Sequence, residues 1–159
     1  MLAWRTSTAR RCKDLSGQGA AIHGGRWNEL DDQALYMGLT HAITVLETLV
    51  NLNGSPAHDM KSVLFELPDD PSLYLRPAIS SLPADWECFP HGSASMSFGS
   101  KFLKSKSHLG LIVPSAVAPL ESNIVINPNH PAASRISIKQ IYEFAFDKRL
   151  LEMLDRAET

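Results

Sequence analysis

The strongest periodic signal lies in residues 40–52, where Ile43, Leu46, Leu49 and Val50 recur at three- and four-residue spacing. That spacing gathers them on one face of a helix, which the Thr40 side chain can cap and Asn53 and Gly54 can end. Glu47 follows Ile43 by four and precedes Val50 by three, so its carboxylate falls on or beside the apolar stripe. A brief apolar run at 34–36 and a longer one at 62–67 predict strands. A proline-rich turn at Pro68 and Pro71 and a less regular stretch to Pro90 follow, and the Gly- and Ser-rich segment 91–100 reads as a loop or a helix entrance. Residues 109–113 and 123–126 are β-prone runs separated by Pro114, Ser115 and Pro119, which predicts neighbouring strands joined by an ordered loop. Residues 127–131 signal a turn, 136–146 a last strand, and the charged stretch 147–159 a short closing helix. The first 28 residues show only a short apolar start (1–4), a polar connector and the pair Gly24 and Gly25. The pattern predicts an α+β protein with strands clustered in the second half and a prominent helix in the first. It holds no internal repeat and no linker, so residues 1–159 are expected to form a single domain.

Composition narrows the class. With 44% apolar and 20% charged residues the chain matches ordinary globular proteins, which excludes disordered and fibrous classes. The formal charge of -2, from 15 basic and 17 acidic residues without a long Lys/Arg block, argues against a cationic nucleic-acid surface and leaves a small or anion-bearing ligand open. Cys12 and Cys88 have no Cys-x-x-Cys spacing, so neither a disulfide framework nor a zinc site is expected, and a reducing cytoplasm suits the chain. No apolar stretch approaches the roughly 20 residues of a membrane span, and no apolar segment follows Arg5, Arg10 and Arg11 as in an export signal.

Four features carry candidate chemistry. Gly24-Gly25-Arg26-Trp27-Asn28 joins permissive backbone, a guanidinium and an indole. Arg26 can grip a phosphate or carboxylate through two parallel hydrogen bonds, or pair with a carboxylate of the protein while Trp27 fills the core. Tyr36 can orient a flat ring or serve as a core aromatic with a satisfied hydroxyl. Glu47 can stabilise positive charge beside an apolar helix face, or pair with Arg5, Arg10 or Arg11. Val113-Pro114-Ser115-Ala116 puts a hydroxyl at a strand end, without the Gly-x-Ser-x-Gly of a hydrolase elbow. The six histidines show no His-Glu-x-x-His or similar metal spacing, so no metal is expected, although His41 could approach Glu47 from the helix start. Glu121, between two apolar runs, is a candidate loop anchor.

Together these motifs resemble the RES-domain family, the toxins of RES–Xre toxin–antitoxin pairs. The resemblance runs in order through Trp4-Arg5, Gly24 to Asn28, Ala34-Leu35-Tyr36, the helix with Glu47, Val113 to Ala116, Glu121 with Asn123, Asn127-Pro128, His130-Pro131, Phe146-Asp147 and Arg149-Leu150. Two segments depart from it. Glu29-Leu30-Asp31-Asp32 stands where the family has a Ser-Pro-Gly-like turn, and Gly99-Ser100-Lys101-Phe102 replaces a Gly-Asp-x-Trp-like segment. The resemblance implies an ADP-ribosyltransferase-like fold of twisted, mainly antiparallel sheets with flanking helices. It implies consumption of NAD by cleavage of the nicotinamide–ribose bond, with a carboxylate stabilising the ribosyl cation. On that reading Glu47, Arg26 and Tyr36 are catalytic: Glu47 faces the cation, Arg26 binds the diphosphate and Tyr36 orients the nicotinamide ribose. Arg5, Gly25, Trp27, Asn28 and Ser115 bind substrate, Arg5 as a second anion contact. The acceptor is water, phosphate or a protein side chain. The implied partner is an Xre-like helix-turn-helix antitoxin that blocks the pocket, in a homodimer or toxin–antitoxin hetero-oligomer, without nucleic acid or membrane. A transferase acting on one protein target and a silent nucleotide-binding module are the competing readings.

Overall fold

Seven strands share one sheet: β1 (Leu2–Thr8), β2 (Leu35–Gly38), β3 (Met60–Glu66), β4 (Tyr74–Leu75), β5 (Gly110–Pro114), β6 (Ser122–Ile126) and β7 (Ser137–Phe144). Four helices accompany them: α1 (Gln18–His23), α2 (His41–Val50), α3 (Ser93–Ser105) and α4 (Lys148–Ala157). This is the arrangement in a computed structural model that describes residues 1–52 and 58–157. The spatial order is β4-β5-β6-β2-β1-β3-β7, antiparallel throughout except for the β4–β5 pair.

The sheet is two half-sheets joined at one point. β1 pairs with β3 over its whole length, from Leu2 opposite Glu66 to Thr8 opposite Met60. It meets β2 only where Trp4 lies opposite Gly38. Beyond that pair the two strands part, and backbone groups of β1 that would bond to β2 need other partners. Helix α2 supplies them: the Thr6 N–H donates to Thr44 Oγ1 (3.3 Å) and Thr48 Oγ1 donates to the Thr6 carbonyl (3.2 Å). A Cβ at Gly38 would stand 2.6 Å from Ile43 Cγ2, so the glycine lets α2 settle close against β2. The parted strands and the helix between them frame the cleft described below.

The half-sheet of β4, β5, β6 and β2 is covered on both faces. Ile112, Ile124 and Ile126 join a core with Ala3, Val63 and Phe65, while Leu111, Val113 and Val125 point the other way, to Trp27, Trp86 and Phe102. Two-sided burial explains why these strands read as unbroken apolar runs. The expected neighbours at 109–113 and 123–126 pair as β5 and β6, with Val113 opposite Asn123. The Thr40 hydroxyl accepts from the Ile43 N–H (3.3 Å) and caps α2 as expected. The helix ends at Val50, and the expected stop at Asn53 and Gly54 lies outside the described residues.

One expectation needs correction. Strands are not clustered in the second half: β1, β2, β3 and β4 all precede residue 76, and β1 runs from the apolar start into the first residues of the polar connector. There Thr6 is buried, its Oγ1 3.0 Å from Ser62 Oγ. The Gly/Ser-rich segment 91–100, read as a loop or a helix entrance, opens the longest described helix, α3, and its small residues let that helix sit close: a Cβ at Gly99 would lie 2.0 Å from the Trp27 carbonyl oxygen, and Ser95 and Ser100 are buried. Helix α1 and strand β4 carry too few residues to leave a period in the sequence.

Candidate active site

A cleft of about 810 Å³ opens beside the parted strands, within the range of small-molecule sites. Arg5, Gly25, Arg26, Tyr36, Glu47 and Asn123 border it, so residues from β1, the glycine turn, β2, α2 and β6 converge there.

Glu47 is held by two donors on one oxygen. Ser115 Oγ donates to Oε1 at 2.7 Å and Asn123 Nδ2 donates to the same atom at 2.6 Å. Ser115 is completely buried, and its Oγ also accepts from the N–H groups of Val117 (3.0 Å) and Ala118 (3.1 Å). Those two bonds use its lone pairs, which directs its proton at Glu47. The loop closes where the Ser115 N–H donates to the Glu121 carbonyl (2.9 Å), and the Glu121 side chain accepts from Thr40 Oγ1 (2.8 Å). Glu121 is thus the loop anchor. Among the described residues Oε2 of Glu47 accepts no hydrogen bond, and Glu47 pairs with none of Arg5, Arg10 and Arg11.

The glycine turn sends its side chains in opposite directions. Reciprocal backbone bonds between Gly25 and Asn28 (3.0 and 3.3 Å) close it. Trp27 is 3% exposed and its indole meets Phe98 edge-on, so the residue is packed in the core where it borders the cleft. Asn28 is fully buried, and its Nδ2 donates to the carbonyls of Ala20, Glu29 and Asp32. The Tyr36 hydroxyl braces both neighbours, donating to Asn28 Oδ1 (2.7 Å) and accepting from the Trp27 N–H (3.0 Å). Burial, opposed by the Trp27 hydrogen bond and the Arg26 charge, pushes this hydroxyl well above the ordinary tyrosine range. A Cβ at Gly25 would come within 2.7 Å of the Tyr36 hydroxyl, and Gly24 has a positive φ of 69°. The segment Glu29 to Asp32 forms the next turn, tied to α3 by the Glu29 N–H on Ser100 Oγ (2.8 Å).

Arg26 projects the other way and pairs with no carboxylate among the described residues. Its Nη1 donates to the carbonyls of Trp86 and Cys88, both at 2.8 Å. Arg5 holds the carbonyls of Arg11 (2.9 Å) and Cys12 (2.8 Å), lies over the Phe65 ring at 5.3 Å, and keeps a buried Nε without a partner. Desolvation, partly offset by Asp14 and Cys12, lowers its pKa from the ordinary arginine value. His41 does not approach Glu47: it stacks near Trp4 (4.8 Å) and its Nε2 lies 2.9 Å from Ser62 Oγ. Among the described residues no three His, Cys, Asp or Glu side chains are grouped to hold a metal ion, and no helix is long and apolar enough to cross a membrane.

Sequence reasoning gives no role to two elements. Asn123 is matched only as part of the family pattern with Glu121, and its signal is a carboxamide beside Ser122 at the polar head of an otherwise apolar strand. The 86–91 segment left none, because backbone carbonyls carry its contact with Arg26.

The split, mainly antiparallel sheet flanked by helices is an α+β fold consistent with the ADP-ribosyltransferase-like fold. The RES domain model matches residues 2–147, and the chain belongs to the RES-domain family. It is 38% identical over 153 residues to the Prs ADP-ribosylating toxin of Sphingobium sp. (93% of this chain, 95% of the relative). It is 35% identical over 137 residues to Toxin Res of Yersinia enterocolitica (85% and 89%). The crystal structure of the M. tuberculosis MbcT–MbcA toxin–antitoxin complex shares the fold, with a TM-score of 0.73 at 17% identity over 99% of this chain and 89% of that one.

Proposed function

We propose that this protein is the toxin of a toxin–antitoxin pair and that it acts on NAD in the cleft, breaking the bond between nicotinamide and ribose. The carrying observation is Glu47, a cleft carboxylate with one oxygen fixed by Ser115 and Asn123 and the other unbonded among the described residues. As the nicotinamide leaves, positive charge builds on the ribose, and a carboxylate already held in place stabilises it without reorganising. Arg26 and Arg5 border the same cleft and supply positive charge for the diphosphate. Tyr36, Trp27 and Asn28 act through the glycine turn, setting the direction of Arg26, and Ser115 acts through Glu47.

Two fates of the ribosyl cation follow. Capture by water or phosphate depletes NAD and arrests growth, in the cytoplasm where NAD is available. Capture by a protein side chain modifies a target, and the Sphingobium relative named an ADP-ribosylating toxin favours keeping this second reading. The proposed partner is an Xre-like antitoxin that covers the cleft, in a hetero-oligomer or with a toxin homodimer. Purified protein is expected to release nicotinamide from NAD, and Glu47→Gln and Arg26→Ala to abolish release while staying folded. Full activity in both variants overturns the assignment. NAD labelled in the adenylate separates the two fates, because only transfer leaves label on a macromolecule.

A further inference from the structure

The 86–91 segment carries an aromatic ring that the chemistry above does not use. Phe89 is 93% exposed, yet it borders the same cleft as Arg26 and Glu47. Singly exposed apolar side chains are ordinary on a protein surface, and what sets this ring apart is its place beside the cleft. Its mount is firm. Trp86 is buried in the core beside α3, and the Cys88 N–H donates to the Asp85 carbonyl at 3.1 Å. Asp85 Oδ1 accepts from Ser95 Oγ of α3 at 2.6 Å, and Arg26 Nη1 holds the Trp86 and Cys88 carbonyls at 2.8 Å. The chain therefore leaves Cys88 in a set direction, and Phe89 stands one residue from a carbonyl that Arg26 grips. The other two Arg26 nitrogens make no hydrogen bond to the described residues and remain for an anion.

Glu47, Arg26 and Phe89 border one cleft, and Phe89 follows by one residue the carbonyl that Arg26 holds. On the NAD reading Glu47 faces the nicotinamide ribose and Arg26 the diphosphate, and the ring next to the Arg26 contact is the flat apolar face left for the remaining part of a dinucleotide. We infer that Phe89 is the stacking face for the adenine of the bound dinucleotide, and that Arg26 couples the diphosphate to the loop presenting that face. The inference rests on the NAD reading of the cleft. A base stacked on an aromatic ring typically accounts for about 5- to 150-fold in affinity, tolerant of which aromatic supplies the face.

Isothermal titration of the wild type, Phe89→Ala and Phe89→Trp with ADP and with inorganic pyrophosphate tests it. ADP carries the base and pyrophosphate does not. Phe89→Ala is expected to weaken ADP binding about fivefold or more, Phe89→Trp to restore it, and pyrophosphate binding to stay within about twofold of the wild type. An ADP affinity unchanged in Phe89→Ala overturns the proposal. So does a parallel loss of ADP and pyrophosphate, which means the ring only packs the loop, or a wild type that binds the two equally or not at all. Nicotinamide release by the wild type is measured separately: its absence alongside the expected ADP pattern refutes the NAD-cleaving activity and upholds the base site.

Discussion

Replacing Asn123 by Ala removes one of the two donors that fix Glu47. Asn123 Nδ2 lies 2.6 Å from Oε1 and Ser115 Oγ 2.7 Å from the same atom, so the variant leaves the carboxylate one anchor and returns some of its rotamer freedom. A hydrogen bond to a charged group contributes about 1.5–3 kcal/mol. If that stabilisation is felt in the transition state, the rate falls about tenfold for each 1.4 kcal/mol, which gives a kcat lower by about 10- to 150-fold. The fold is expected to survive, because β6 is paired on both sides at this position, with Gly38 of β2 and Val113 of β5. The assay is nicotinamide release under saturating NAD, beside a thermal melt. Ser115→Ala acts on the same oxygen, so the double variant is expected to lose less than the two single losses combined. A kcat for Asn123→Ala within twofold of the wild type, or a loss confined to KM, refutes the positioning of Glu47 as the origin of its reactivity.

Tyr36→Phe leaves the Trp27 N–H and Asn28 Oδ1 without a partner and is expected to cost about 2–4 kcal/mol, lowering Tm by about 4–16 °C for a chain of this size; an unchanged Tm removes the brace. The same hydroxyl shapes the alkaline limb. Burial keeps Tyr36 protonated in the folded protein while the unfolded chain ionises near pH 10, so unfolding releases a proton and stability declines as pH rises above about 10. Below that pH the contribution is fully present. Tyr74, pushed up by burial to about 12, adds to the same slope, so urea midpoints of Tyr36→Phe should decline less steeply than those of the wild type. An equal slope contradicts the burial of this hydroxyl. Gly25→Ala puts a methyl 2.7 Å from the Tyr36 hydroxyl and 2.8 Å from Asn28 Oδ1. It is expected to destabilise by about 1–3 kcal/mol, and an unchanged urea midpoint sinks the argument for glycine there.

Local signals carried a definite part of this protein. The Thr40 cap, the spacing from Ile43 to Val50 and the place of Glu47 at the edge of the stripe were legible because a helix is a short-range object. So were β5 and β6, since two-sided burial leaves a continuous apolar run. The α+β class and the ordered motifs of the family followed from the same reading. Residue identity also marked Gly24 and Gly25, where the backbone demands what only glycine supplies.

The tertiary structure decided the rest, because it depends on partners far away in sequence. Nothing near Thr6 says that Ser62, Thr44 and Thr48 will complete its hydrogen bonds, so the latter part of β1 reads as a connector and the split that opens the cleft is invisible. Tyr36 and Asn28 look like ligand groups until their hydrogen bonds are seen to be spent on the turn itself. Arg26 reaches across 60 residues to carbonyls, which have no signature in side-chain chemistry. The sequence by itself determined which residues carry charge and which faces are apolar. Only the packing of distant strands decided which charged groups face a common cleft, because that rests on register and on the satisfaction of buried backbone groups, neither of which is encoded within any single element.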